Sequence, residues 1–182
     1  NIDASGRWLF SASYGAHLVA VQPLLAGGLV GTASVHATGP NAHCTQVHPS
    51  NQWVLAASLG GGQLHRYRFD ANTGTLTPTE PPTLPMPQGT GPRHLRFNRA
   101  GDRVYLLGEL DAQVHVLSFD AAQARSLTHG QPVQGCSGEP GCMVRAYEGE
   151  HFLGVATYGG DVSNLLPGVV YDRLRQRVAN TG

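Results

Sequence analysis

Hydrophobic and polar positions alternate along this chain in short runs, and one arrangement of these runs occurs three times. Each copy has a polar turn, an apolar run, a second turn and then an alternating run. The turn residues Gly6, Asn51 and Gly101 are equivalent and lie 45 and 50 residues apart. The copies are 5–14 with 17–23, 50–59 with 63–70, and 100–110 with 113–120. A period of this length is typical of propellers and other repeat proteins.

The repeat predicts strands rather than helices. Residues 114–119 alternate with a period of two, and no window of a dozen residues keeps a helical apolar stripe. Further strand-like segments lie at 29–38, 43–50, 75–84, 93–100 and 126–134. A unit of four antiparallel strands in about 45–50 residues has the size of a propeller blade.

We therefore predict an all-β fold, a β-propeller represented here by about three to four four-stranded antiparallel blades. The predicted blades are about 1–40, 41–90 and 91–135, and 136–182 is a divergent tail. The best helix candidate in the tail is 171–179, although a frayed terminus is the preferred interpretation.

Composition narrows the functional classes. The chain has 182 residues, 12 basic and 12 acidic side chains and a pI near 7.3, which gives no electrostatic case for nucleic acid or a membrane partner. No apolar run approaches the roughly 20 residues that span a bilayer. Cys44, Cys136 and Cys142 have no metal-binding spacing and leave an odd thiol, which favours a reducing, cytoplasmic location.

The stretch 89–97, GTGPRHLRF, carries the candidate chemistry. Its glycines allow a tight turn, and Pro92 biases Gly91 toward an extended conformation. Arg93 offers a planar fork of donors for a carboxylate or phosphate, and His94 can titrate near neutral pH.

The blade register predicts that distant residues meet. His43 and Arg93 occupy the same position at the start of an inner strand, and Glu109 ends the neighbouring antiparallel strand. The three side chains should therefore converge at one mouth of the central channel. They have the chemistry of a general acid–base site with an anion-binding arginine. The structural alternative is that Glu109 only pairs with Arg93 and that His43 caps a turn.

These residues resemble those of the seven-bladed propeller lactonases, which include the propeller type of 6-phosphogluconolactonase and the fungal carboxy-cis,cis-muconate cyclase. The sequence GTGPRHLRFN with a following strand that ends in GEL carries the resemblance, and TGPNAHCTQVHPSNQW matches a segment one blade earlier. The resemblance covers residues 1 to about 120. It departs at Gly108, where the family often has Asn, and at a further Arg from a later blade, which has no counterpart.

The resemblance implies three catalytic residues, His43, Arg93 and Glu109. The residues assigned to substrate binding are His94, Asn41 and Tyr14. No cofactor or metal is expected, because His-x-His, Glu-x-x-His and Cys-x-x-Cys spacings are absent among the candidates.

The implied function is hydrolysis of a sugar δ-lactone, with the 6-phosphogluconolactonase of the pentose phosphate pathway as the first candidate. The alternatives are a muconate-type lactonizing cycloisomerase and a non-enzymatic binding platform. Seven blades need about 320–350 residues at this period. The chain is therefore expected to be a fragment, inactive by itself, whose function belongs to a longer parent with a small-molecule lactone as partner. The oligomeric state stays open.

Overall fold

The chain is built from β-strands. The computed structural model describes residues 1–121 in full and, beyond them, the backbone of 127–129, 133–134, 143–148 and 151–157. Among these residues the only helix is a three-residue 3-10 turn at Ala26–Gly28. In that part of the chain, no helix is long and apolar enough to cross a membrane. Cys136, Cys142 and the helix candidate at 171–179 lie outside the described residues.

The strands pair only in antiparallel fashion, which confirms the predicted all-β class. They are β1 (Trp8–Ser13), β2 (Leu18–Pro23), β3 (Ser34–Ala37), β4 (Ala42–Val47), β5 (Trp53–Ser58), β6 (Gln63–Asp70), β7 (Thr75–Pro85), β8 (Pro92–Phe97), β9 (Arg103–Gly108), β10 (Gln113–Phe119), β11 (Leu127–His129), β12 (Val133–Gln134), β13 (Met143–Glu148) and β14 (His151–Thr157).

Three successive sheets follow the repeat. The first has the order β1-β2-β3, the second β4-β5-β6-β7, and the third β8-β9-β10-β11, with β12 also pairing with β10. The apolar runs of the three copies are β1, β5 and β9, and the alternating runs are β2, β6 and β10. A separate hairpin, β13–β14, follows within the segment that the sequence assigned to the tail.

The middle sheet is buried on both faces, as the central strand β5 shows. All six of its residues are buried. Trp53, Leu55 and Ala57 pack into a core shared with the third sheet, and Val54 and Ala56 pack into a core shared with the first. Since side chains alternate across a strand, this one segment joins both neighbouring sheets.

The turns that begin each copy also join neighbouring sheets. Asn51 has a left-handed φ of +60°. Its side chain accepts a hydrogen bond from the Ala4 amide and donates one to Asp3 Oδ2, each at 2.9 Å. One sheet further along, His48 Nε2 lies 3.0 Å from the carbonyl oxygen of Gly101. The same turn therefore carries an inter-sheet contact in two successive copies.

We expect Asn51→Ala to lower the free energy of unfolding by about 1–3 kcal/mol, because it removes both hydrogen bonds to the first sheet. Alanine also tolerates the left-handed φ poorly, whereas glycine does not strain it. Asn51→Gly should therefore be destabilised less than Asn51→Ala but more than the unchanged chain, as measured by urea unfolding. An Asn51→Gly variant as stable as the unchanged chain would contradict the prediction.

Candidate active site

The Gly-Pro turn before β8 is held against the end of β9 by main-chain hydrogen bonds. The Glu109 amide donates to the Gly91 carbonyl at 2.8 Å, and the Leu110 amide donates to the Thr90 carbonyl at 3.1 Å. The expectation of an extended Gly91 is wrong, since its φ is +58°. The left-handed φ favours glycine, and a Cβ here would lie 2.6 Å from Cγ of Leu110, whose side chain would have to move. The turn thereby fixes where Glu109 lies relative to Arg93.

Arg93 lies between His43 and Glu109. Its Nε atom is 3.2 Å from His43 Nε2 and 3.2 Å from Glu109 Oε2. The arginine and glutamate side chains are 19% and 31% exposed, so the ion pair stands at the edge of solvent. The structure thus brings together the three residues that the sequence assigned to catalysis. We call them the Arg93 cluster.

A β-bulge occurs in each of the two inner strands that supply this cluster. The register of β4 shifts between Ala42 and Cys44, around His43, and that of β8 shifts between Pro92 and Leu95, around Arg93. Bulges re-aim side chains and are frequent beside active sites. The local irregularity therefore falls on equivalent positions of two copies, at the residues with candidate chemistry.

His43 is held in the neutral form. Burial lowers its pKa, the nearby Arg93 guanidinium lowers it further, and Glu109 opposes these effects. Because Arg93 can only donate, His43 Nε2 accepts, and the ring proton of the neutral form is assigned to Nδ1. His43 Nδ1 is buried and has no hydrogen-bond partner among the described residues.

Two of the three predicted substrate-binding residues contact His43. The ring centroid of His94 lies 4.9 Å from that of His43, and the ring of Tyr14 lies at 6.0 Å, both edge to face. Burial lowers the pKa of His94 to about 4, and the adjacent His43 contributes. Asn41 is placed differently: its backbone N–H donates to His17 Nδ1 at 3.0 Å in the turn before β4.

A His–carboxylate pair that was not singled out from the sequence lies in the turn that follows Glu109 and on the next strand. His115 Nε2 is 2.7 Å from Asp111 Oδ2, and His115 is only 2% exposed. Asp111 Oδ1 also accepts a hydrogen bond from the Gln113 amide at 3.0 Å. The pair fixes the β9–β10 turn that begins at Glu109. The sequence does place His115 among the inward-facing residues of the alternating run. A histidine at such a position is equally consistent with an ordinary core residue.

Gly108 stands where related sequences often have asparagine, and this difference has a steric reason. A Cβ on Gly108 would lie 2.1 Å from Asp111 Oδ1 and 2.8 Å from the carbonyl oxygen of Thr90. The second of these atoms belongs to the backbone, so it cannot rotate away. The asparagine that is frequent in related sequences does not fit here while Asp111 keeps its present position.

Two other kinds of site, a metal site and a surface cleft, were considered in the described part of the chain. Among residues 1–121, no group of three or more His, Cys, Asp or Glu side chains could hold a metal ion. A cleft of about 820 Å³ lies on the second sheet, lined in part by Trp53, Arg68 and Glu80. It includes none of the six predicted site residues, so its size alone does not make it the site.

Comparison with known proteins shows the family of the chain. Residues 1–140 match the family model described as "Lactonase, 7-bladed beta-propeller". The chain belongs to this lactonase family. It is 36% identical over 121 residues to a 6-phosphogluconolactonase of Pectobacterium carotovorum, covering 66% of this chain and 36% of that relative. A 6-phosphogluconolactonase of Serratia proteamaculans is 32% identical and is covered over 35% of its length.

Two solved structures superpose well on the chain. A periplasmic gluconolactonase of Pseudomonas aeruginosa has a TM-score of 0.70 at 28% identity, covering 86% of this chain and 48% of that one. A Lactobacillus plantarum protein has a TM-score of 0.71 at 24% identity, which shows the shared fold. The chain thus spans about a third of the length of its curated lactonase relatives and about half of these solved chains.

We expect acid to destabilise this lactonase chain. Burial lowers the pKa values of five histidines: His36, His43, His48, His65 and His94. A histidine in the unfolded chain titrates near 6.5, so below that pH the unfolded state binds more protons. The free energy of unfolding should be highest above about pH 6.5. It should decrease as the pH is lowered from there to about 4, where the folded-state pKa of His94 lies.

Urea unfolding at several pH values measures this effect. His94→Gln should make the dependence of stability on pH shallower between about pH 4 and 6.5, because one titrating group is removed. A free energy of unfolding that stays constant or increases on acidification would contradict the assignment.

We expect Gly108→Ala to lower the free energy of unfolding by about 1–3 kcal/mol, the usual cost of inserting a methyl group into a packed site. Gly62→Ala is a contrasting control, because no atom lies within 4 Å of a Cβ there, and its cost arises from its left-handed φ of +62° alone. Adding Asp111→Ala to Gly108→Ala should recover little, since the Thr90 carbonyl still obstructs the new Cβ. Full recovery would assign the clash to the carboxylate instead.

Proposed function

We propose that the intact protein, meaning the longer parent of this chain, hydrolyses a sugar δ-lactone, with 6-phosphoglucono-δ-lactone as the first candidate. The observation that carries the proposal is the contact of Arg93 with both His43 and Glu109 in a member of the lactonase family. The names of the reported relatives, 6-phosphogluconolactonase and gluconolactonase, support the same substrate class.

In the proposed reaction, water attacks the lactone carbonyl carbon while Glu109 accepts a proton from it. The new carbon–oxygen bond gives a tetrahedral oxyanion, which the Arg93 guanidinium stabilises by charge-assisted hydrogen bonds. The bond between the carbonyl carbon and the ring oxygen then breaks, and the proton held by Glu109 passes to that oxygen. The product is an open-chain hydroxy acid, which releases one proton at neutral pH.

His43 serves as the neutral partner of Arg93. Its lowered pKa keeps a lone pair on Nε2 near neutral pH, and this lone pair faces Arg93 Nε. A protonated His43 would repel the guanidinium and remove the acceptor. The two contacts of Arg93 Nε, at 3.2 Å each, are long for charge-assisted hydrogen bonds, as is common in catalytic groups without substrate. We propose that His43 orients Arg93, while Glu109 carries the proton from the attacking water to the ring oxygen.

Three further expectations concern the direction of the reaction, the partner and the cellular location. A muconate-type cycloisomerase would use the same residues in the lactone-forming direction, but the relatives named above are lactone hydrolases by name, which favours hydrolysis. A sugar lactone remains the proposed partner. The cytoplasmic location stays a prediction, and the Pseudomonas relative is named as periplasmic.

Lactone hydrolysis in a pH-stat tests the function directly, because each turnover releases one proton. The intact protein should consume base with 6-phosphoglucono-δ-lactone well above the spontaneous rate. A binding platform would leave the spontaneous rate unchanged, which would refute the proposal.

We expect Arg93→Lys to lower kcat/KM of the intact protein by roughly a hundred- to a thousandfold, the usual effect of losing an oxyanion donor. A lysine point charge cannot reproduce the planar fork, while the melting temperature should change little. Arg103→Lys is a matched control, because Arg103 belongs to the same sheet and contacts only the exposed Asp102 in the described ion pairs. If Arg93 only pairs with Glu109, stability should fall instead and activity per folded molecule should stay near normal.

A further inference from the structure

A second arginine joins the same two inner strands. Arg96 on β8 donates through Nη1 to the side-chain oxygen Oε1 of Gln46 on β4. These residues lie 50 positions apart, the same spacing as Arg93 and His43. The inner strands of the second and third sheets are thus joined by two side-chain contacts, one at the Arg93 cluster and one three residues further along each strand.

The charge of Arg96 is not balanced locally. Arg93 has the carboxylate of Glu109, whereas Arg96 is exposed and contacts the neutral amide of Gln46. Within residues 1–121, no carboxylate forms an ion pair with Arg96. Burial is the main cause of the lowered pKa of His94, and Arg96 makes a smaller contribution, so the charge of Arg96 acts on His94, whose ring contacts His43 of the Arg93 cluster.

We propose that Arg96, oriented by Gln46, binds the phosphate ester of the substrate while Arg93 faces the lactone carbonyl. This inference rests on the proposed lactonase function and deepens it by naming a residue that selects phosphorylated lactones. Guanidinium groups bind phosphate oxygens bidentately, and an exposed arginine on an inner strand is accessible from the central channel of a propeller.

The spacing suits such a substrate. Two residues three positions apart on a strand have Cα atoms at most about 10 Å apart. In 6-phosphoglucono-δ-lactone the carbonyl carbon and the carbon that bears the phosphate arm both flank the ring oxygen, so the two groups are separated by only a few bonds. Arg93 and Arg96 both extend from β8 toward β4, where they contact His43 and Gln46, so their long side chains can reach the carbonyl and the phosphate of one molecule. The arrangement gives phosphate binding to Arg96 and leaves the oxyanion to Arg93.

The test compares 6-phosphoglucono-δ-lactone with unphosphorylated glucono-δ-lactone in the intact protein and in Arg96→Gln. We expect the variant to raise KM for the phosphorylated lactone about ten- to a hundredfold, the usual effect of losing a hydrogen bond to a charged group. Its kcat, and its kinetics with the unphosphorylated lactone, should not change. Gln46→Ala should shift KM in the same direction by less. Arg103→Gln removes an equal charge from the same sheet and should have no effect.

Equal losses with both lactones, or no loss with either, would overturn the proposal. Binding of 6-phosphogluconate and gluconate, measured by isothermal titration calorimetry, supplies an arm that needs no turnover. Both acids carry the carboxylate, so a difference between them reports the phosphate alone. If the intact protein hydrolyses neither lactone, the proposed function fails, and this arm decides the role of Arg96. A preference for 6-phosphogluconate that Arg96→Gln abolishes supports it, and no preference, or one that persists, refutes it.

Discussion

The burial of β5 on both faces is the constraint on which the arrangement of this chain depends. Its odd-numbered side chains pack against the third sheet and its even-numbered ones against the first. Because both cores use one strand, the three sheets have a defined stacking, and equivalent positions of successive copies become neighbours. The contacts of His43 with Arg93 and of Gln46 with Arg96 both follow from this stacking, since each joins residues 50 positions apart.

The sequence could predict those parts of the site that backbone register determines. The repeat located the strands, and antiparallel pairing placed the end of β9 beside the start of β8. The main-chain bond between Glu109 and Gly91 is the direct consequence of that register. No side-chain detail was needed for this step, so a single sequence was sufficient to bring Glu109 to Arg93.

Features that depend on local side-chain contacts could not be predicted in the same way. Gly91 is left-handed in a turn whose carbonyl accepts from the Glu109 amide, and this conformation is set by the folded arrangement of the two segments rather than by the Gly-Pro pair alone. His115 alternates with its neighbours like a core residue, and only the folded β9–β10 turn brings Asp111 to it. The hydrogen bond from the backbone N–H of Asn41 to His17 could not be predicted either, and the assignment of Asn41 to substrate binding stays a prediction.

The electrostatics of the site connect its stability to its chemistry. Burial keeps His43 and His94 neutral, so the two arginines and one carboxylate determine the charge near the inner strands. That balance is positive and suits an anionic substrate and a developing oxyanion. At low pH the same histidines would be protonated. Their charge would then repel Arg93 and favour the unfolded chain. Loss of activity at low pH would therefore share its physical origin, the desolvation of imidazole at His43 and His94, with part of the loss of stability.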